Sequence, residues 1–384
     1  MFLLTSMPVG GAETLLANLM GSMNAARFVP EICCLKELGP LGEQLSERFT
    51  CTSKLLHHKY DLCVVPRLVA RLRGIDALVT VGAGDKMFWG RIAARIARTP
   101  LVLSALHSTG WPDGLGRLNR MLTPWTDGFI AVAREHGRFL VQHEGLPAEK
   151  VHVIPNGVDT QRFNFDASAP FVIRQELGIP TDAPLCGIVA ALRPEKNHSL
   201  FLRMAERVLT EVPETHFLIV GDGDEAPKLR AETNQRRLTS HVHFLGTRSD
   251  IPRILAALNV FCLTSHNEAN PVSILESLSV RVPVVATDVG SVSTTVQPNQ
   301  TGFLVEPEND AQFAARVLQI LHDPALAHRL GTEGREQVEK HWSLERMVRG
   351  YEQLIVDLYY RKRSGPRGPQ AIRNAEGVEI CGAS

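Results

Sequence analysis

The sequence has no long hydrophobic run. Across its 384 residues nothing approaches the ~18 consecutive apolar residues of a membrane-spanning helix. No basic stretch precedes an apolar segment at the N-terminus, so no secretory signal is expected. The chain begins almost inside a strand, Phe2 to Thr5, which points to a late start or an abbreviated first strand. Net charge is also missing, with 41 Lys and Arg against 41 Asp and Glu, which argues against a general nucleic-acid binder. The seven cysteines form no CxxC pair, and the adjacent Cys33 and Cys34 suit no zinc site. They read as buried thiols in a reducing cytosol. No internal repeat is present.

What remains is the composition of a soluble globular protein, 44% hydrophobic and 21% charged. The length exceeds one ordinary core, so two domains are expected. Residues 1–165 carry 18 Lys and Arg against 14 Asp and Glu, and the rest reverse this, 23 against 27. Lys54 to Arg98 is the most basic stretch.

Short β-branched and apolar runs alternate with amphipathic segments. Strands are expected at 2–5, 29–35, 77–81, 101–104, 128–132, 151–154, 185–190, 215–220, 242–245, 260–263, 282–287 and 303–305, and helices between them, for example 198–210, 310–322 and 344–359. This alternation implies parallel sheets, and two sheets fit the length better than one. The irregular segment 160–172 is the expected boundary. The expected division is 1–162 for a first domain, with a helix at about 344–360 returning to it, and 163–343 for a second. Residues 361–384 lack apolar periodicity and read as a disordered tail.

Several loops carry chemistry. Gly10 and Gly11 follow the first strand and open a helix expected from Thr14 to Met20. They suit backbone approach to a phosphate, or simply a tight strand-to-helix turn. His107 follows strand 101–104 at a carboxyl edge, where ligands of open α/β sheets gather, and contacts a sugar or is an ordinary surface histidine. Trp111 nearby forms an acceptor wall or packs its own loop. The Asn156-Gly157 pair after strand 151–154 reads as a turn. Arg193 and Lys196 lie beside the start of helix 198–210, placed to neutralise a diphosphate or to stand in solvent. Gly221 to Ala226 formally matches G-x-G-x-x-A, but its three acids and Pro227 oppose a pyrophosphate, so a loop lining a cleft is expected instead. In the run from Ser265 to Gly290, Asn270 is expected to cap a helix with Pro271 at its first turn. Glu268 then lies just before that helix and Glu276 in its second turn. Each carboxylate suits a sugar diol, or the pair simply stands in solvent, and the free N–H groups at the helix start suit phosphate.

Taken in order, GGAE at 10–13, PNGVD at 155–159, RPEKNH at 193–198, GDGD at 221–224, FLG at 244–246, and Glu268 with Glu276 followed by PVVAT at 283–287 resemble the retaining glycosyltransferases of family 4. The likeness covers roughly residues 2–355. It implies the GT-B fold, two Rossmann-like α/β domains facing across a cleft, with a UDP-, GDP- or ADP-sugar donor held by the second and a glycan or lipid-linked acceptor by the first. It assigns catalytic roles to Glu268, Lys196 and His107. It assigns donor contacts to Glu276, Arg193, Gly10, Gly11, Asn270, Pro271, Val272, Gly221 and Gly223. No metal and no cofactor are implied. One departure is Ala191, where the family places an arginine; Arg193 is the nearest substitute. Ala269-Asn270-Pro271 also replaces the family's Gly-Phe-Pro. A cytoplasmic hexosyltransferase of cell-surface polysaccharide or glycoconjugate synthesis is therefore expected. The alternatives are an epimerase of the same architecture and a degenerate, non-catalytic partner subunit. Arg67, Arg71, Arg73, Arg91, Arg95 and Arg98 are read as faces for anionic membrane or as solvated arginines.

Overall fold

A computed structural model describes residues 1–8, 10–58, 61–107, 116–364 and 379–380. The chain divides into two compact units, Met1–Asn156 with Leu344–Ser384, and Gly157–Ser343.

The first unit is built on strands β1 (Phe2–Leu4), β2 (Glu31–Cys34), β3 (Thr50–Thr52), β4 (Ala77–Val81), β5 (Leu101–Leu106), β6 (Gly128–Ala131) and β7 (Val151–Val153). They pair in parallel in the order β3-β2-β1-β4-β5-β6-β7. A parallel sheet is covered on both faces, so its strands read as unbroken apolar runs. β5 is the clearest case, buried at all six residues. β3 was not expected, because Thr50-Cys51-Thr52 is short, polar and at the sheet edge. The last helix runs from Leu344 to Ser364, past the expected start of the tail. Glu379–Ile380, also within the expected tail, forms a last strand, β14, antiparallel to β7.

Arg91 corrects one surface expectation. It is fully buried, and its guanidinium donates to the carbonyls of Met87 and Asn119 and to the side chains of Asn119 and Thr126. Desolvation lowers its pKa to about 10, which still leaves it charged at neutral pH. Burial among neutral acceptors makes it a brace between helix Asp85–Ala97 and the segment 119–126, and it cannot meet a membrane.

The second unit contains β8 (Leu185–Val189), β9 (His216–Val220), β10 (Val242–Gly246), β11 (Val260–Leu263), β12 (Val284–Thr287) and β13 (Gly302–Val305). The order is β10-β9-β8-β11-β12-β13, all parallel. Strand order reverses between β8 and β11. In open α/β sheets ligands bind where this reversal leaves adjacent loops diverging at the carboxyl ends. The loops leaving β8 and β11 carry Lys196 and Glu268.

Candidate functional site

Lys196 closes a short 3-10 turn, Pro194–Lys196, ahead of helix His198–Glu211. Asn197 adopts a left-handed φ of 47°, and its side chain accepts from the Leu200 amide, capping that helix. The turn is tied to the β11 loop by two further bonds. The His266 amide donates to the Glu195 carbonyl at 2.9 Å, and Thr264 Oγ1 donates to the Lys196 carbonyl at 3.0 Å. These place Lys196 Nζ 2.6 Å from Glu268 Oε1. The side chains are 24% and 8% exposed, so this is a largely desolvated ion pair. Such a pair contributes little net stability, but removing one partner leaves an uncompensated buried charge.

Glu268 is held by three more contacts. Ser265 Oγ donates to the same Oε1 at 2.6 Å. The Ser291 amide donates to the Glu268 carbonyl at 3.1 Å. Gly290, at φ +55°, lies so close that a Cβ there would stand 1.9 Å from that carbonyl oxygen. Neither Ser265 nor Gly290 was singled out from the sequence. The available signal was a serine three residues before a strand-end carboxylate, and a glycine just after the next strand.

The helix after Glu268 spans Val272–Ser279, with Pro271 as its cap residue and no side-chain cap hydrogen bond. Asn270 is buried one position earlier and does not cap this helix. Pro271 holds an extended ψ of 116°, which delays the helical turn by one residue relative to expectation. The first helical N–H is thus that of Val272. Glu276 is partly buried in the second turn. Desolvation raises its carboxyl pKa to about 7, with Arg162 pulling the other way. It is poised between neutral and charged forms near physiological pH, and either form accepts hydrogen bonds from hydroxyls.

Arg193 does not join this arrangement. Its side chain is 64% exposed and its nearest charged partner is Glu195 at 4.0 Å. Its amide donates to the carbonyl of Ala191, so the loop turns its side chain outward. Gly221 and Gly223 serve packing against this same loop. Added Cβ atoms would meet the Ala190 and Leu192 carbonyl oxygens at 2.1 and 2.4 Å. The Leu192 amide donates to Asp222 O, and the Glu225 amide to Leu192 O. The two glycines therefore let the 221–225 loop cross under the lysine-bearing loop.

In the first unit, Gly10 precedes helix Gly11–Ser22, which begins three residues before the expected Thr14. A Cβ at Gly10 would stand 2.5 Å from Glu13 Oε2, so this helix start carries its own carboxylate. His107 lines a small apolar cavity with Phe2, Ala12, Val81 and Tyr351. Burial, aided by His136 and Lys86, lowers its pKa to about 4, so it is neutral at pH 7. Trp111 lies outside the described residues. Among the described residues no group of three or more His, Cys, Asp or Glu is placed to hold a metal, and no helix is long and apolar enough to cross a membrane.

Comparison with known proteins decides the family. Residues 9–162 match the family described as Glycosyltransferase Family 4, and residues 171–337 match Glycosyl transferases group 1. The chain belongs to the group 1, family 4 glycosyltransferases. The transferase is 26% identical over 284 residues to the UDP-Gal:alpha-D-GlcNAc-diphosphoundecaprenol alpha-1,3-galactosyltransferase of Escherichia coli, spanning 71% of this chain and 73% of that one. It is 25% identical to the N-acetyl-alpha-D-glucosaminyl L-malate synthase of Bacillus anthracis, over 80% of this chain and 81% of that one. Among solved structures, Anabaena HepE in complex with UDP and glucose superposes with a TM-score of 0.82 at 21% identity, over 92% of this chain and 98% of that one. The transferase thus has the GT-B fold.

Proposed function

We propose that the transferase moves a hexosyl-type sugar, with retention of anomeric configuration and without a metal, from a nucleotide sugar to a glycan or lipid-linked acceptor. The observation that carries this reading is the Lys196–Glu268 pair at the strand-order reversal of the second unit. There a cation and a carboxylate share one desolvated spot beside the helix start at Val272. Lys196 and the free N–H groups of that helix neutralise the departing diphosphate. Glu268 accepts from hydroxyls of the transferred sugar, and Glu276 from the donor ribose. Within the first unit, Gly10 and Gly11 offer backbone to a phosphate and neutral His107 offers a hydrogen-bonding ring.

In the front-face route, the bond from the anomeric carbon to the diphosphate oxygen breaks and its electron pair leaves with the diphosphate. The acceptor oxygen bonds to the anomeric carbon from the same face, and its proton passes to the leaving phosphate oxygen. No base on the protein is needed. The E. coli relative's name gives a UDP-sugar donor and a diphosphoundecaprenol-linked acceptor, which supports a lipid-linked acceptor here and a place in cell-surface glycan synthesis. Exposed Ile96, Met121 and Trp125, with exposed Arg95 and Arg98, suit peripheral contact with anionic lipid from the cytoplasmic side. Arg91 takes no part in that contact.

The test pairs UDP-, GDP- and ADP-sugars with a panel of glycan and lipid-linked acceptors. The anomeric configuration of the product is read by NMR, with and without chelator. Retention and chelator-insensitivity are expected. An inverted product, a glycosyl ester trapped on Glu268, or conversion of the nucleotide sugar without acceptor would each overturn part of the reading. The last of these would mark an epimerase.

A further inference from the structure

Glu268 has two carboxylate oxygens, and the protein treats them differently. Lys196 Nζ and Ser265 Oγ both donate to Oε1, each at 2.6 Å. Both of these donors meet Oε1 and neither meets Oε2. Ser265 stands two residues past the end of β11 and is only 1% exposed. Its carbonyl accepts from Thr287 Oγ1, at the end of β12, at 2.6 Å. The serine is thus anchored to the sheet, and its hydroxyl proton has one acceptor. Lys196 differs: it is a flexible stem carrying three donors, free to turn toward an incoming phosphate.

We propose that Ser265 is a positioning residue for the sugar half of the donor, pinning Oε1 of Glu268 so that Oε2 faces a hydroxyl of the transferred sugar while Lys196 turns to the diphosphate. This rests on the donor-site reading above. Without the serine, the lysine would be asked both to orient the carboxylate and to hold the leaving group. With it, the two duties fall to separate residues. The requirement is specific to the sugar, because a nucleoside diphosphate alone makes no use of Oε2.

Matched probes separate these contributions: UDP and UDP-glucose, GDP and GDP-mannose, ADP and ADP-glucose, each titrated calorimetrically. For the pair that binds, Ser265→Ala should weaken the nucleotide sugar roughly tenfold, the scale of one hydrogen bond to a charged group. The bare diphosphate should change by less than about twofold. Ser265→Thr keeps the hydroxyl and should restore sugar binding to within about threefold. If the alanine variant does not fold, Ser265→Cys, a weak donor of similar size, should show the same sugar-specific loss. Equal affinity for both probes in the variant and the parent would overturn the assignment, as would equal weakening of both. A parent protein that binds none of the six probes would instead overturn the donor site itself.

Discussion

Gly290→Ala is the sharpest single perturbation of this site, because it moves Glu268 without touching its side chain. At φ +55° an alanine costs about 1–2 kcal/mol relative to glycine. The new Cβ would stand 1.9 Å from the Glu268 carbonyl oxygen and 2.9 Å from its carbon. The two backbones must part by about 1 Å before the contact is even tight, an overpacking cost of about 1–3 kcal/mol. The sum, about 2–5 kcal/mol, corresponds to a fall in melting temperature of roughly 5–15 °C for a unit of this size. The part specific to function is the displacement of Glu268, since a misplacement of ~1 Å at a reacting centre can cost about 100-fold in rate. Gly331→Ala is the control. There the Cβ would meet the Arg281 carbonyl at 2.0 Å, past the far end of helix Val272–Ser279. Both variants should lose stability by thermal unfolding, but only Gly290→Ala should lose donor affinity and turnover when assayed well below its transition. If folded Gly290→Ala transfers sugar as well as the parent, Glu268 does not act where this account puts it.

Lys196→Met should lower turnover by about 100-fold or more, since it removes the cation paired with Glu268 and strands a buried carboxylate; steady-state kinetics at saturating donor would show it. Glu276→Gln should weaken nucleotide binding yet stabilise the ligand-free protein at pH 8. The Glu276 pKa rises from its usual 4.5 to about 7 on folding, so stability is lost as pH climbs from 4.5 through 7, by about 2 kcal/mol after allowance for partial exposure. Urea midpoints of parent and variant should converge near pH 4.5 and diverge at pH 8. His198 shows the opposite trend. Desolvation chiefly lowers its pKa to about 4, so its contribution is intact above 6.5 and is lost as pH falls toward 4, by up to about 3 kcal/mol. His198→Leu should therefore flatten the acid side of the stability profile, and an unchanged profile would refute that assignment.

The strands were legible because parallel β-strands buried on both faces leave continuous apolar runs, as in Leu101–Leu106 and Val284–Thr287. Thr50–Thr52 escaped because an edge strand of three polar or small residues leaves no such run. The carboxylate and lysine were legible as motif positions, and the structure brings Lys196 and Glu268 into contact. Their supports were not. Gly290 matters through a neighbour 22 residues away in sequence, and Ser265 through a backbone carbonyl tied to β12 and a hydroxyl bonded to Glu268. Arg91 was misread because a helical arginine among apolar neighbours looks the same whether it faces lipid or braces a buried loop; only the acceptors on Asn119 and Thr126 separate the two. Gly221 and Gly223 were harder to read because backbone approach to a phosphate and approach to another loop both call for glycine, and the structure shows the approach to the loop.

The most direct measurement is a crystal structure of the protein with the nucleotide sugar that binds best. The account predicts the diphosphate within hydrogen-bond distance of Lys196 and the Val272 end of its helix, the ribose on Glu276, and a sugar hydroxyl on Oε2 of Glu268. A nucleotide bound away from the loops of β8 and β11, or a sugar that leaves Glu268 untouched, would contradict it.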